Sequence, residues 1–235
     1  MTAATSKLWA VVPAAGVGSR MQSTTPKQYL LLAGKPVLSH SLSRLLALPA
    51  LQQVVVAVAA DDAYWPSLPE ASESRVLAVE GGRERADSVL AGLLALVEKA
   101  DADDWVLVHD AARPCVQSKS IAAMVAALVD HPVGGIMATA IADTVKQAGE
   151  GLRIEATLDR SRLWAAQTPQ LFRYGLLKSA LQQALAAGVA VTDEASALEW
   201  AGHTPQLFAG SKTNLKITVP EDIRLAELIL EAEGE

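Results

Sequence analysis

Three cationic side chains of the sequence lie in contexts that could bind phosphate groups. Arg20 and Lys27 follow a run of small residues that contains Gly16 and Gly18, and Lys216 lies beside apolar residues late in the chain. Glycines after a strand let backbone N–H groups approach phosphates closely. A guanidinium binds phosphate oxygens through paired hydrogen bonds, whereas an ammonium acts as a mobile point charge. Arg20 and Lys27 would therefore suit a triphosphate.

The two common nucleotide-binding motifs do not match this glycine turn. The Rossmann dinucleotide pattern requires glycine or alanine where Met21 stands, and a P-loop requires Gly-Lys-Ser or Gly-Lys-Thr, which the sequence lacks. A tight strand-to-helix turn with two solvated cations is the alternative, because isolated glycine-rich turns are weak evidence of a phosphate site.

A single carboxylate, Asp110, is the candidate metal ligand. It follows the apolar strand candidate Trp105 to His109, so it should lie at the carboxyl end of that strand, where ligands of parallel sheets bind. One carboxylate, together with triphosphate oxygens and water, is a usual way to hold Mg²⁺, and other divalent ions are possible. The alternative is an ion pair between Asp110 and Arg113. His109 points to the opposite face of the sheet and is expected to be packed rather than catalytic.

Gly82, Ser88 and Lys216 are further candidates. Gly81 and Gly82 lead into an amphipathic helix and permit close approach to a flat base, whose polar edge Ser88 could bind. A plain helix start is the alternative. A lysine within an interior strand needs a partner, and a nucleotide phosphate would supply one for Lys216.

Composition and charge exclude several classes of protein. The 235 residues are 51% apolar and 20% charged, which is typical of a folded domain and not of a disordered chain. The formal charge of −6 makes broad steering towards nucleic acid improbable. One cysteine, Cys115, cannot form an intrachain disulfide. The longest apolar stretch, Ile121 to Val129, is about half of what a membrane span needs. We therefore expect a cytoplasmic protein with no membrane segment.

Short apolar runs alternate with helical patterns, which predicts an α/β fold with a mainly parallel sheet. The predicted strands are Leu8 to Val12, Val54 to Ala59, Arg75 to Val79, Trp105 to His109, Ile136 to Ile141, Gln206 to Ala209 and Asn214 to Ile217. The spacing of Thr218 and Glu221 predicts a capping box for a C-terminal helix, with Pro220 in its first turn. Because no linker interrupts the pattern, residues 1–235 are expected to form one domain.

One segment interrupts this alternation. The runs Ile141 to Lys146 and Leu152 to Thr157 are extended candidates on either side of a turn at Gly149 to Gly151. They predict an inserted β-hairpin arm at about residues 141–160. A two-stranded hairpin is marginal by itself, so a second copy of the chain is the expected packing partner, and a flexible surface flap is the alternative.

Ordered strings across nearly the whole sequence carry a family resemblance. The pattern Ala14-Ala15-Gly16-x-Gly18-x-Arg20-Met21 with Pro26-Lys27 resembles the nucleotide-binding signature of enzymes that join a sugar or polyol phosphate to a nucleotide. Within that group the chain is similar to the 2-C-methyl-D-erythritol 4-phosphate cytidylyltransferases, through the strings at residues 27–29, 85–89, 109–114, 168–170, 192–196 and 214–218.

The resemblance implies a Rossmann-like nucleotidyltransferase sheet and Mg²⁺-dependent transfer of a cytidylyl group from CTP to 2-C-methyl-D-erythritol 4-phosphate, with release of pyrophosphate. It implies catalytic roles for Arg20, Lys27 and Lys216 and a metal-binding role for Asp110. The nucleotide-binding residues that it implies are Ala14, Ala15, Gly16, Gly18, Lys27, Gly82 and Ser88. The residues that it implies for the polyol phosphate are Asp110, Arg113, Thr144 and Arg160.

The family's hairpin arm is exchanged across a homodimer, so Thr144 and Arg160 are expected to act at the partner's site. Thr192 and Asp193 could bind ligand or could cap a helix. Arg83 departs from the residues often found at its position, which leaves a ribose contact there open. Two alternative functions remain: a sister nucleotidyltransferase that uses another sugar phosphate or base, and a nucleotide-binding module without catalysis.

Overall fold

The computed structural model describes residues 6–16, 21 and 23–234, which form eleven strands and six α-helices. The strands are β1 Leu8–Pro13, β2 Leu31–Leu32, β3 Lys35–Pro36, β4 Leu51–Val58, β5 Val76–Glu80, β6 Trp105–Val108, β7 Gly134–Ala140, β8 Val145–Ala148, β9 Ile154–Leu158, β10 Trp164–Arg173 and β11 Gln206–Ala209. The helices are α1 Val37–Leu46, α2 Arg85–Leu94, α3 Ser118–Leu128, α4 Tyr174–Ala186, α5 Glu194–Trp200 and α6 Pro220–Glu233.

Seven strands form the central sheet in the order β11, β7, β10, β6, β1, β4, β5. Pairing is parallel from β6 through β1 and β4 to β5 and between β7 and β11, whereas β10 is antiparallel to both of its neighbours. The predicted α/β fold with a mainly parallel sheet is confirmed.

Both faces of the sheet are covered, which explains why its strands are apolar throughout. On β1, Ala10 and Val12 pack against α1 and α3, and Trp9 and Val11 pack against α2, α4 and α5. Helix α2 lies so close to β1 that a Cβ atom at Gly92 would stand 2.4 Å from a methyl carbon of Val11. This contact requires glycine at position 92 and sets how closely α2 packs on β1.

Strand β10 is absent from the predicted strands, and it contains Pro169, a residue that is unusual within an interior strand. The ladder between β10 and β7 shifts register between Ala166 and Gln170, so no regular pairing is required of the residues between them. The same interruption brings Gln167 and Thr168 to the edge of the sheet at which Asp110 lies.

The predicted strand Asn214 to Ile217 is wrong. These residues form an irregular segment whose polar groups bond to the loop after β6 and to β10. Ile217 N donates to Ala112 O at 2.8 Å, and Asn214 Nδ2 donates to Thr168 O at 2.8 Å. Lys216 is therefore held by loop contacts and not by a strand ladder.

The predicted capping box at the start of α6 is shifted by one residue. Pro220 is the first helical residue, as expected. The residue whose side chain accepts a hydrogen bond from the N-cap backbone is Asp222 and not Glu221. Asp222 Oδ2 accepts hydrogen bonds from Thr218 N at 2.7 Å, Thr218 Oγ1 at 2.8 Å and Val219 N at 3.0 Å. These bonds fix the chain just after Lys216.

The inserted hairpin is confirmed as a separate two-stranded sheet of β8 and β9. Gly151 and Leu152 have φ values of 65° and 60°, so the tight turn between the strands passes through the left-handed region. Leu152 is 88% exposed and Ile154 is 68% exposed. Such exposed apolar side chains on a marginal element favour a packing partner.

Within the part of the chain that the structure describes, every helix is too short or too polar to cross a membrane.

Candidate active site

Three connections that leave the carboxyl ends of parallel strands meet at one edge of the sheet. Residues 14–16 follow β1, Gly81 and Gly82 follow β5, and Asp110 comes two residues after β6. Open α/β sheets bind ligands at this edge. The fold therefore brings together segments that are separated by almost a hundred residues of sequence.

These connections border a first cleft, whose roughly 610 Å³ of empty space is partly open to solvent. Eight of the candidate residues line it: Ala14, Ala15, Gly16, Lys27, Gly82, Ser88, Asp110 and Lys216. Arg83 also lines it. Gly18 and Arg20 lie outside the described residues.

Asp110 is the electrostatic centre of the cleft and is only 6% exposed. Lys216 Nζ lies 2.8 Å from Oδ2, Arg85 Nε donates to Oδ1 at 3.0 Å, and Arg113 Nε lies 3.6 Å from Oδ2. Burial would raise the pKa of this carboxyl, but the charges of Arg85, Lys216 and Arg113 hold that pKa well below its ordinary value. The ion pair between Asp110 and Arg113 is therefore present, but the contacts of Asp110 with Lys216 and Arg85 are shorter.

The two candidate lysines are held by one short segment. Lys27 Nζ donates to the carbonyl oxygen of Ile217 at 3.1 Å, next to Lys216 in the chain. Beside Lys27, Gln28 Nε2 donates to Ala14 O at 2.6 Å and fixes the start of the glycine turn. These two hydrogen bonds hold Lys27 next to the segment that carries Lys216 and next to the glycine turn.

The group that approaches Gly82 closely is the side chain of Asp87 in helix α2. A Cβ atom at Gly82 would stand 2.2 Å from Cβ of Asp87, so only glycine fits between this turn and helix α2. Ser88 Oγ accepts a hydrogen bond from Gly82 N at 3.1 Å. Both residues line the first cleft, and Ser88 holds the shape of the turn that borders it.

A second cleft, with about 570 Å³ of empty space, lies on the other side of Asp110. It shares Arg85, Asp110 and Lys216 with the first cleft, and the remaining lining residues are Arg113, Ala166, Gln167, Thr168, Gln170, Thr192 and Asp193. A carboxylate with a lysine and an arginine therefore lies between two adjoining clefts.

Of the two roles considered for Thr192 and Asp193, the helix cap is observed for Asp193. Asp193 caps α5, because its Oδ1 accepts a hydrogen bond from Ser196 N at 2.9 Å. The two residues also line the second cleft. Thr144 and Arg160, by contrast, line neither cleft. They are exposed at the base of the hairpin arm, where Arg160 donates a hydrogen bond to Ala142 O.

His109 is buried and is not aimed into either cleft, as expected from its place on the strand. One ring nitrogen, Nε2, lies 3.1 Å from Arg113 O, and the other lies 3.2 Å from Thr168 Oγ1. Thr168 Oγ1 also accepts from Asp110 N at 2.9 Å. The contacts fit a neutral ring with its proton on Nε2, so His109 braces the Asp110 backbone.

The burial of His109 predicts a loss of stability in mild acid. Burial lowers its pKa from 6.5 to about 4, so the unfolded chain takes up a proton between these values while the folded chain does not. This stability is complete above pH 6.5 and is lost as the pH falls towards 4. We expect the free energy of unfolding to drop by about 1.4 kcal/mol from pH 7.5 to pH 5.5 on this account.

Urea unfolding at the two pH values measures this drop. The variant His109→Gln has no titrating ring and should lose about 1.4 kcal/mol less than the wild type over this range. An equal loss in both proteins would show that another group carries the pH dependence.

Sequence reasoning missed several residues that organise the site, above all Arg85 and Glu194. Arg85 lies in the resembling string at 85–89 and Glu194 in that at 192–196, but nothing in either string shows that they pair. Arg85 Nη1 lies 2.7 Å from Glu194 Oε1. Thr168 and Gln170, which line the second cleft, likewise lie in a resembling string without an assigned role.

Comparison with known proteins agrees with this geometry. The family model described as IspD, 2-C-methyl-D-erythritol 4-phosphate cytidylyltransferase, matches residues 8–232. A protein of that name from Vibrio vulnificus strain YJ016 is 52% identical over 99% of this chain and 98% of its own length. Another from Pseudomonas entomophila strain L48 is 52% identical over 95% of each chain.

Solved structures show the same likeness. The crystal structure of the Francisella tularensis 2-C-methyl-D-erythritol 4-phosphate cytidylyltransferase has 37% identity and a TM-score of 0.81, and covers 95% of this chain and 100% of that one. A crystal structure of a 4-diphosphocytidyl-2C-methyl-D-erythritol synthase has 39% identity and a TM-score of 0.83, over 97% of this chain and 100% of that one. This chain therefore belongs to the 2-C-methyl-D-erythritol 4-phosphate cytidylyltransferase family.

Proposed function

We propose that the chain transfers a cytidylyl group from CTP to 2-C-methyl-D-erythritol 4-phosphate in the biosynthesis of isoprenoid precursors. Membership of the family and the names of relatives at 52% identity support the reaction. The observation that carries it is the pair of clefts that share Arg85, Asp110 and Lys216. An enzyme that joins two phosphate compounds needs two adjoining anion sites with cations between them.

In this proposal CTP occupies the first cleft. Ala14, Ala15 and Gly16 face the triphosphate with Lys27 beside it, and Gly82 and Ser88 border the base and ribose. Gly18 and Arg20, which lie outside the described residues, are assigned to the triphosphate by the family resemblance alone. The polyol phosphate occupies the second cleft near Asp110 and Arg113. This arrangement directs the acceptor phosphate towards the α-phosphate of CTP past Lys216.

The reaction forms one bond between an acceptor phosphate oxygen and the α-phosphorus, and breaks the bond from that phosphorus to the pyrophosphate oxygen. The attacking oxygen already carries negative charge at neutral pH, so no general base is required. Positioning and charge stabilisation are then the main tasks of the protein. Arg20, Lys27 and Lys216 supply positive charge where negative charge builds up on the α-phosphate and the leaving group.

We also propose Mg²⁺ as the cofactor, with Asp110 as its protein ligand. Among the described residues no group of three or more acidic, histidine or cysteine side chains could hold a metal, so CTP oxygens and water would complete the shell. The donor chemistry of Asp110 fits, since each oxygen accepts one short contact from a cation and keeps a lone pair. When bound, the metal would neutralise triphosphate charge.

Purified protein with Mg²⁺, 2-C-methyl-D-erythritol 4-phosphate and each of CTP, ATP, GTP and UTP tests the function. Release of pyrophosphate should be fastest with CTP, and the cytidine diphospho product should form in equal amount. Faster release with another nucleotide, or with another sugar phosphate, would indicate a sister transferase. Saturable CTP binding without pyrophosphate release would indicate a binding module.

A homodimer through the hairpin arm is part of the proposal, as is a cytoplasmic location. The exposed apolar residues Leu152 and Ile154 on the arm support pairing with a second copy. Thr144 and Arg160 line neither cleft of their own chain, which fits a role at the partner's acceptor site.

Subunit complementation tests this exchange. The variants Arg160→Ala and Lys216→Ala should each be nearly inactive alone, whereas co-expression should restore about a quarter of wild-type activity. Half of the randomly formed dimers would be mixed, and each mixed dimer would contain one intact site of two. Arg162→Ala changes a neighbouring exposed arginine and should remain active alone. Co-expressed dimers as inactive as the separate variants would contradict a contribution of Arg160 across the dimer.

A further inference from the structure

Glu194 is a buried carboxylate that the mechanism so far does not use. It is only 1% exposed and lines neither cleft. Its Oε1 accepts from Arg85 Nη1 at 2.7 Å and its Oε2 accepts from Arg85 Nη2 at 3.1 Å. This two-point contact fixes the plane of the guanidinium, which a single hydrogen bond would not do.

The fixed orientation of Arg85 determines how its remaining nitrogen, Nε, meets Asp110 at the centre of the site. With both terminal nitrogens on Glu194, its Nε donates to Asp110 Oδ1 at 3.0 Å. Asp110 Oδ2 is then available to Lys216 Nζ at 2.8 Å. Charges alternate along the series Glu194, Arg85, Asp110 and Lys216, so each group stabilises its neighbours. Only the last three line the clefts.

The base of this series is itself rigid. Glu194 is the first residue of α5, directly after the capping residue Asp193. Gln170 on β10 donates to Asp193 Oδ2 at 2.9 Å and accepts from Ala195 N at 3.0 Å, so it holds the residues on both sides of Glu194. Helix α5 is thereby anchored to the central sheet.

The local charge balance gives Glu194 a second effect. Asp110 faces three cations, Arg85, Arg113 and Lys216. Glu194 offsets the charge of Arg85 and occupies both of its terminal nitrogens. Burial raises the pKa of the Glu194 carboxyl, and the adjacent Arg85 guanidinium opposes that rise.

We propose that Glu194 is a positioning residue for the transfer reaction: it locks Arg85 so that Arg85 holds Asp110 in the orientation that presents Lys216 between the two clefts. The inference rests on the proposed function, since it assigns Lys216 to the reacting phosphate. It predicts that the loss of Glu194 affects the chemical step more than the binding of CTP, because Glu194 lies outside both clefts.

Glu194→Gln tests the proposal, because it keeps the size of the side chain and removes its charge and one acceptor. We expect kcat to fall by about 100-fold, as for a displacement of about 1 Å at a reacting centre. The KM for CTP and the CTP dissociation constant from calorimetry should stay within about threefold. Glu199→Gln, on the exposed side of the same helix, is the matched control and should keep full activity.

A double-mutant cycle shows whether Glu194 acts through Arg85. Glu194→Gln combined with Arg85→Gln should lose no more activity than Arg85→Gln alone, because both changes break the same link. Should Glu194→Gln fail to fold, Arg85→Lys probes the same link, since it keeps the charge and removes the two-point contact. It should likewise lower kcat by about 100-fold, and wild-type kcat in Arg85→Lys would contradict the proposal.

Three results would overturn the proposal: wild-type kcat in Glu194→Gln, additive losses in the double variant, or a loss confined to CTP binding. Wild-type protein assayed in parallel distinguishes failure of the positioning role from failure of the proposed function. If the wild type transfers no cytidylyl group, the function is wrong; if it does and Glu194→Gln matches it, only the positioning role is wrong.

Discussion

Replacing Lys216 with alanine is expected to lower kcat by about a thousandfold while the affinity for CTP changes by only a few-fold. Lys216 Nζ stands 2.8 Å from Asp110 Oδ2 at the boundary of the two clefts, and its side chain is 37% exposed, so it can reach a bound phosphate. A cation about 4 Å from a phosphate oxygen contributes about 4 kcal/mol at an effective dielectric constant of 20. A barrier raised by that amount slows a reaction by about three powers of ten.

The effect should fall on kcat because charge at the α-phosphate grows only as the new bond forms. Interactions that strengthen in the transition state change turnover, and those that are equal in both states change only binding. Single-turnover rates and CTP binding by calorimetry separate the two. Lys212→Ala is the matched control, since Lys212 is an exposed lysine four residues earlier and lines neither cleft. Near wild-type turnover in Lys216→Ala would remove Lys216 from the chemical step.

Much of this site could be predicted from the sequence because its parts are local. The apolar run of β1 ends at the glycine turn, and the run of β6 ends just before Asp110, so residues 14–16 and Asp110 are placed by the strands before them. Parallel strands then bring their carboxyl ends to one edge without further information. The candidates that directly follow β1, β5 and β6, namely Ala14, Ala15, Gly16, Gly82 and Asp110, accordingly line one cleft.

The parts that could not be predicted depend on contacts between distant segments. Arg85 and Glu194 are separated by 109 positions, and each alone has the pattern of an ordinary helix start. Strand β10, which is absent from the predicted strands, contains Pro169, which is tolerated because the ladder is interrupted there. The segment that carries Lys216 has the apolar pattern of a strand, but its hydrogen bonds go to Ala112 and Thr168. Sequence periodicity indicates which residues are buried, but it does not indicate which groups form hydrogen bonds with the backbone.

Replacing Asp110 with asparagine is the second change for which we expect a large effect, on both stability and turnover. The amide keeps the shape of the carboxylate but removes the only negative charge that Lys216 and Arg113 contact among the ion pairs described. Breaking one partner of a buried ion pair leaves its cations uncompensated, at a cost of about 3 kcal/mol in the free energy of unfolding. Partial exposure of Lys216 places this figure at the low end of the range for such changes.

Turnover should fall by about 100-fold or more, because Lys216 loses the group that holds it between the clefts. Urea unfolding and steady-state kinetics, both at a temperature well below the unfolding transition, measure the two effects separately. Asp130→Asn alters an exposed aspartate beyond the end of α3 and should change neither. A stable Asp110→Asn variant with wild-type kcat would contradict the central role of Asp110.

The magnesium dependence of the same variant distinguishes the two roles proposed for Asp110. A carboxylate that holds the metal supplies a charge that an amide lacks, so the Mg²⁺ concentration for half-maximal activity should rise by about tenfold. A carboxylate that only orients Lys216 would lower kcat and leave that concentration unchanged. Since each oxygen of Asp110 has one short cationic contact and a remaining lone pair, we expect both changes together. An unchanged Mg²⁺ requirement would place the metal on the triphosphate alone and reduce Asp110 to the orientation of Lys216.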